Sequence, residues 1–235
     1  MAYSNLLGGT ATTVHVDHPP LEDGLLTLVA KDHADLLVMG LRPRSQSRRV
    51  FARRMAMKAP CSVLTVPVGW PARVGPVLVA VDFSEQSADT LLTGIALARL
   101  AGSAQVTVFH AYFDDTAVGY EGHAKVLRQQ QELEMLRFLR PLEAGGVTLA
   151  PVIEETPDVV AAIRDAADSI DAGLIVMGTR GRSRSAAVLL GSETEHALQM
   201  TTRPLLAVKH HGASLGLRQA LLDAKIWHRD TSRFG

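Results

Sequence analysis

A single cysteine, Cys61, occurs in 235 residues. One thiol cannot close an internal disulfide or build a cysteine cage around a metal, so the fold has to rest on burial, and a reducing cytoplasm is the implied compartment. Excess charge is missing too, since 24 Lys and Arg face 24 Asp and Glu. A specific nucleic-acid binder would need surplus positive charge to neutralise phosphates, and a disordered acidic tail would not be 47% hydrophobic. No apolar run reaches the about 18 to 20 residues that span a bilayer, and Met1-Ala2-Tyr3-Ser4-Asn5 lacks the basic start of a secretory signal. Membrane insertion is therefore not expected. Also absent are Gly-x4-Gly-Lys-[Ser/Thr], Gly-x-Ser-x-Gly and His-Glu-x2-His, the usual hydrolase and kinase machinery. Neither His15 and His18 nor His210 and His211 have a carboxylate or thiol partner at metal-ligand spacing, so no metal centre and no catalytic residue are assigned.

What is present is repetition. Leu36-Leu37-Val38-Met39-Gly40 returns as Leu174-Ile175-Val176-Met177-Gly178, 138 residues later. Arg42, Arg44, Ser45 and Ser47 return in the same register as Arg180, Arg182, Ser183 and Ser185, and Pro19 returns as Pro157. The strand-like run after Pro60 returns after Pro204 at an offset of 144, so the first copy is six residues shorter between these landmarks. Upstream of its first landmark that copy has only 35 residues, and is truncated. The expected organisation is a partial copy over residues 1–70, a linker at 71–75, a complete copy over 76–211 and a helical tail at 212–235. Ser214 could cap that tail helix, with Leu217, Leu221 and Ala224 on one stripe.

In the complete copy, residues 76–81 form a short β-branched run of the kind buried on both faces. Ser84 caps a helix with Glu85 in its first turn and apolar residues Leu91, Leu92, Ile95, Ala98 and Leu100 at helical spacing; Gly102 ends it. Further strands are expected at 106–111, 147–153, 174–177 and 205–208, alternating with helices at 124–140, 158–167 and 191–200. Five such alternations predict an α/β fold with a doubly wound, five-stranded parallel sheet. Ligands in that architecture sit at the carboxyl ends of the strands, beside the switch in strand order.

The loop after the fourth of these strands carries glycines at Gly178, Gly181 and Gly191, and Gly191-Ser192 opens a helix whose first amides have no internal partner. A phosphate chain could lie there, or the glycines could merely end a strand and cap a helix. The spacing Gly178-x2-Gly181-x9-Gly191-Ser192 resembles the nucleotide-binding signature of the universal stress protein family. Val81-Asp82-Phe83-Ser84 is similar to that family's Val-Asp-x-Ser opening, and His110-Ala111 to its strand-end His-Val. The resemblance covers residues 76–211 and, weakly, 13–67. It implies the adenine-nucleotide alpha-hydrolase-like fold and an ATP site. In ATP-binding members the position of Asp82 contacts the adenosine moiety and that of Ala111 lies against adenine. Met177 and Gly178 match the adenine and ribose contacts, while Gly181, Gly191, Ser192 and the backbone of Glu193 match the phosphate cradle. Mg2+ would be held through the phosphates. Glu193 and the small Ala111 depart from the pattern. Family members pair their fifth strands, which here implies self-association within the chain or as a homodimer.

The first copy keeps Gly40, but Pro43 stands for the second glycine and the deletion removes the Gly-Ser helix start, so one nucleotide site is expected. The implied role is a cytoplasmic stress-response or regulatory module with at most slow hydrolysis. The rival is a nucleotide-free scaffold for dimerisation and partner recruitment. Residues 42–58 hold seven basic residues and no acid. They are expected to form the solvated face of a helix with Val50, Phe51 and Met55 turned inward. Arg180, Arg182 and Arg184 flank the proposed phosphate site.

Overall fold

The computed structural model describes residues 21–42, 45–71, 74–114, 122–179 and 190–209. The elements run α1 (Leu21–Lys31), β1 (Leu36–Leu41), α2 (Gln46–Lys58), β2 (Ser62–Pro67), β3 (Val77–Ala80), α3 (Glu85–Leu100), β4 (Gln105–Tyr112), α4 (His123–Leu139), β5 (Thr148–Glu155), α5 (Val159–Ser169), β6 (Leu174–Gly178), α6 (Ser192–Met200) and β7 (Leu205–Val208). The strands form one sheet in the order β1-β2-β7-β6-β3-β4-β5. Every neighbouring pair is parallel except β2 and β7, which run antiparallel with Leu64 opposite Leu206.

The sheet is thus seven-stranded, a correction to the expected five. The five strands expected over residues 76–211 are all present, but β7 is not an edge. Its free side accepts β2, and Thr65 Oγ1 reinforces the seam by donating to the Leu205 carbonyl at 3.2 Å. Sequence pattern marks a strand but not its lateral neighbour, which is settled by what else the chain folds against it.

Strand β3 shows why the centre of the sheet reads as a continuous apolar run. Val77, Leu78 and Val79 are all fully buried, because their side chains alternate between two covered faces. Leu78 joins a core shared with Val29 of α1, Ala56 of α2, Ile163 of α5 and Leu198 of α6. Val77 and Val79 join the opposite core, with Leu91 and Ile95 of α3 and Met135 of α4. Helix α3 lies close to the sheet at Gly94, where a Cβ would run into Val79 Cγ2. The two sheet ends differ. Strand β5 carries Pro151, Glu154 and Glu155, residues that discourage further edge pairing, whereas β1 has no proline or charge and leaves Val38 45% exposed.

Helix α2 buries Ala52, Met55 and Ala56, while Val50 and Phe51 are only half-buried. The expected inward stripe is rotated, because α2 packs on α6 as well as on the sheet. Its basic residues are not a free polyanion surface. Arg53 Nε lies 2.9 Å from Glu195 Oε1 of α6, and Arg54 and Lys58 both reach Glu22 of α1. The Lys58 ammonium, 2.6 Å from Glu22 Oε1, holds that carboxyl below its ordinary pKa.

Candidate functional site

The chain leaves β3 for β4 and β5 on one side, then crosses back to β6 and β7 on the other. Strand order therefore reverses between β3 and β6, and in an open α/β sheet the ligand crevice lies outside the carboxyl ends of the strands at such a reversal. Asp82 follows β3, Ala111 lies near the end of β4, and Gly178 ends β6. The sheet brings these positions together on three adjacent strands.

Asp82 is held by the residue two places on. Its Oδ1 accepts from the Ser84 amide at 3.1 Å and from Ser84 Oγ at 2.5 Å. The same Ser84 oxygen accepts from the Ser87 amide at 3.1 Å, capping α3. A Val-Asp-x-Ser opening thus does two jobs with one hydroxyl, orienting the carboxylate and starting the helix. Phe83, between them, has φ of 63°, a left-handed conformation that costs a non-glycine residue about 1 to 2 kcal/mol. Its ring is anchored inward, 4.0 Å from the His110 ring and 5.5 Å from that of Phe138, centroid to centroid. His110 is buried, and its Nδ1 donates to the Val81 carbonyl at 2.8 Å. Its Nε2 faces the Gln131 carboxamide of α4 at 3.2 Å.

Across the crevice, the start of α6 is docked onto the end of β6. The Gly191 amide donates to the Thr179 carbonyl at 2.8 Å, and Thr194 Oγ1 donates to the Gly178 carbonyl at 2.6 Å. These bonds fix where the first-turn amides of Ser192, Glu193 and Thr194 stand. In α3 and α5 a side chain satisfies a first-turn amide, from Ser84 and from Asp158 Oδ1 respectively. In α6 the N-cap is Gly191, which has no side chain to do so. Gly191 has φ of −67°, open to any residue, and among the described residues the atom nearest to a Cβ there would be Thr179 O at 3.8 Å. Packing against the described residues therefore does not require glycine at this position. An anion lying across the helix start would, and first-turn amides without a side-chain cap, at the favourable end of the dipole, suit one.

Other site residues fall out differently. The Met177 side chain is buried in the core beside Leu198 and Ala207, so only its backbone faces the crevice end of the strand. Ser192 and Glu193 are exposed, and Glu193 and Glu195 place two acids in the first turn of α6. Gly181, with Arg180, Arg182 and Arg184, lies outside the described residues, as do His15, His18, His210, His211 and the tail at 212–235. Phe83 and Thr194 were not expected from sequence. A left-handed phenylalanine has no local signal, but a threonine two residues into a helix that follows a strand end is a visible one. No helix among the described residues is long and apolar enough to cross a membrane.

Comparison with known proteins agrees with this architecture. A universal stress protein of Synechocystis is 28% identical over 153 residues, covering 58% of this chain and 98% of the relative. A solved structure from Pseudomonas aeruginosa PAO1, of a functionally unknown protein, is 18% identical with a TM-score of 0.64, over 87% of this chain and 73% of that one. A universal stress protein from Archaeoglobus fulgidus is 20% identical with a TM-score of 0.55, over 81% of this chain and 65% of that one. The sequence pattern of the universal stress protein family matches residues 74–209, more than half of the chain, and the protein belongs to that family.

Proposed function

We propose that this protein is a tandem universal stress protein with a shortened, degenerate first repeat and one adenine-nucleotide site in the second, where ATP binds. The repeat reading is supported by spacing: α1 and β1 begin 138 residues before α5 and β6, and α1 ends 138 residues before α5. It is supported too by pairing, since β1-β2 and β6-β7 are both parallel pairs, joined antiparallel through β2 and β7. This arrangement is the within-chain counterpart of pairing two fifth strands in a dimer.

The observation that carries the nucleotide reading is Gly191. It sits at a helix start that no side chain caps and where none of the described residues stands in the way of a larger residue. Adenosine would lie over the ends of β3, β4 and β6, against Asp82, Ala111 and the Met177-Gly178 backbone. The phosphates would lie over Gly191 and reach the amides of Ser192 and Glu193, with Gly181 assigned to the same cradle by the family spacing and Mg2+ held through the phosphates. ATP then serves as a regulatory signal in a stress response, and any hydrolysis is slow, because the sequence offers a phosphate cradle without an evident base or dedicated metal ligand. Cytoplasmic residence follows from the same reading.

Equilibrium dialysis with ATP tests this. Wild type is expected to bind one nucleotide per chain; Gly191→Ala should bind more weakly while losing less than about 1 kcal/mol of stability, the scale of an N-cap exchange. Unchanged affinity in Gly191→Trp would remove the site. One observation favours the nucleotide-free scaffold instead: the exposed carboxylate of Glu193 stands in the helix turn that would hold phosphate. If wild type binds no nucleotide, that reading replaces the first.

A further inference from the structure

His110 touches the Asp82 loop on both sides of the aspartate. Its Nδ1 holds the carbonyl of Val81, the residue before Asp82, at 2.8 Å. Its ring lies 4.0 Å from that of Phe83, the residue after, with 32° between the planes. The loop it grips is the one that takes a left-handed turn at Phe83, a conformation that an unanchored phenylalanine would leave. His110 is itself fixed. It is 5% exposed, it is paired within the β4–β5 ladder opposite Ile153, and Gln131 of α4 meets its Nε2. The next residue on the strand is Ala111. One imidazole therefore ties together the two strand ends over which the adenosine half of the nucleotide is placed, and links both to α4.

We infer that His110 is the positioning residue of the adenosine half of the site, fixing the backbone that presents the Asp82 carboxylate without touching the nucleotide. The inference rests on the nucleotide reading above. It assigns a division of labour. Ser84 orients the Asp82 side chain, His110 sets the main chain on either side of it, and the start of α6 is built independently from Thr179, Gly178 and Thr194. Damage at His110 should then be felt by adenosine and not by phosphate.

The test compares wild type, His110→Leu and His110→Asn, all as the full chain. Leucine keeps apolar bulk against Phe83 and removes the donor to Val81; asparagine keeps a donor at nearly the place of Nδ1. His110→Leu is expected to weaken adenosine and ATP by the same factor, about tenfold for one lost hydrogen bond to a buried carbonyl, and to leave competition by inorganic tripolyphosphate unchanged. His110→Asn should recover affinity toward wild type. Equal losses for tripolyphosphate and adenosine would mean a general loosening and overturn the assignment, as would unchanged adenosine affinity. Amide hydrogen exchange in nucleotide-free protein supplies a second readout. In His110→Leu the amides of residues 82–84 should exchange faster while those of α5 do not. Should wild type bind no adenosine, the nucleotide reading falls, and the exchange pattern alone then decides whether His110 holds the loop; equal exchange in both proteins would reject it.

Discussion

Arg49 Nη1 donates to the carbonyl of Thr201 at 3.0 Å, and also to that of Gln199 at 2.5 Å, so a side chain near the start of α2 caps the end of α6. The reverse contact exists too, since Lys209, just past β7, donates from Nζ to the carbonyls of Ala56 and Met57 at the end of α2. Each helix end has carbonyls that need donors, and a cation at that end also complements the dipole. Arg49→Ala should therefore cost about 1.5 to 3 kcal/mol, the range for hydrogen bonds to a charged group, read as a lower urea midpoint. The exposed neighbour Arg48→Ala should stay within about 0.5 kcal/mol of wild type. Equal small effects at both positions would show that the caps do not hold the N-terminal segment to the rest.

Gly173, at the turn into β6, faces Gly75, which enters β3. A Cβ on Gly173 would run into the Gly75 nitrogen and lie 2.7 Å from its Cα, and backbone on this scale cannot swing aside as a side chain can. The Gly173 amide also donates to the Pro76 carbonyl at 2.9 Å, so the two turns are bonded as well as close. Gly173→Ala should lower stability by about 1 to 3 kcal/mol or more, as overpacking does. Gly40→Ala, where among the described residues a Cβ meets only Val68 Cγ2 at 3.9 Å, is the control and should fold at nearly wild-type stability. Thermal unfolding of the pair decides the matter; a neutral Gly173→Ala would mean the join between the two segments is looser than its geometry.

The alternation of strands and helices was legible because each element carries its own local reason. Val77, Leu78 and Val79 leave no polar face, Ser84 stands where a helix must start, and Gly102, with φ of 69°, stands where it must stop. The placement of Asp82 and Gly178 at strand ends beside the order switch was legible because that position is defined by chain order alone. What sequence did not reveal lies between segments. Arg49 and Thr201 are 152 residues apart, and nothing in residues 42–58 marks which of seven basic side chains turns inward. The antiparallel seam of β2 with β7 is of the same kind, since two apolar strands pair equally well within a chain or between chains until the connecting segment is folded. Phe83 was hidden for a different reason: its left-handed backbone is held by His110 and Phe138, partners far along the chain that override its own preference.

Cys61 is fully buried, and that burial pushes its thiol up to about 11 from an ordinary value of 9.0. The native state thus keeps a proton that the unfolded chain gives up at lower pH. Stability is unaffected by this group below the ordinary value and falls as pH rises from 9.0 toward about 11. Iodoacetamide at pH 8 should label the urea-unfolded chain and leave the native protein untouched over the same time. Cys61→Ala should show a shallower decline of stability through that alkaline window than wild type. Rapid native alkylation would contradict the burial.

Removing residues 1–73 should change how the family domain associates. Strand β7 is buried along its whole length, and β2 covers one of its two edges. Without β2 that edge, with Leu205, Leu206, Ala207 and Val208, becomes an apolar row of free backbone donors and acceptors, which seeks another strand. A second copy offers the matching edge, and an antiparallel pairing of β7 with its twin would reproduce the geometry that β2 supplies in the intact chain. Light scattering behind size exclusion should find the shortened protein as a dimer at micromolar concentration. The complementary fragment, residues 1–70, should fail to form a well-behaved monomer, because β2 loses β7 and α2 loses the α6 surface against which Arg53 meets Glu195. A stable monomer of that fragment would show that the N-terminal segment folds without the surface it covers.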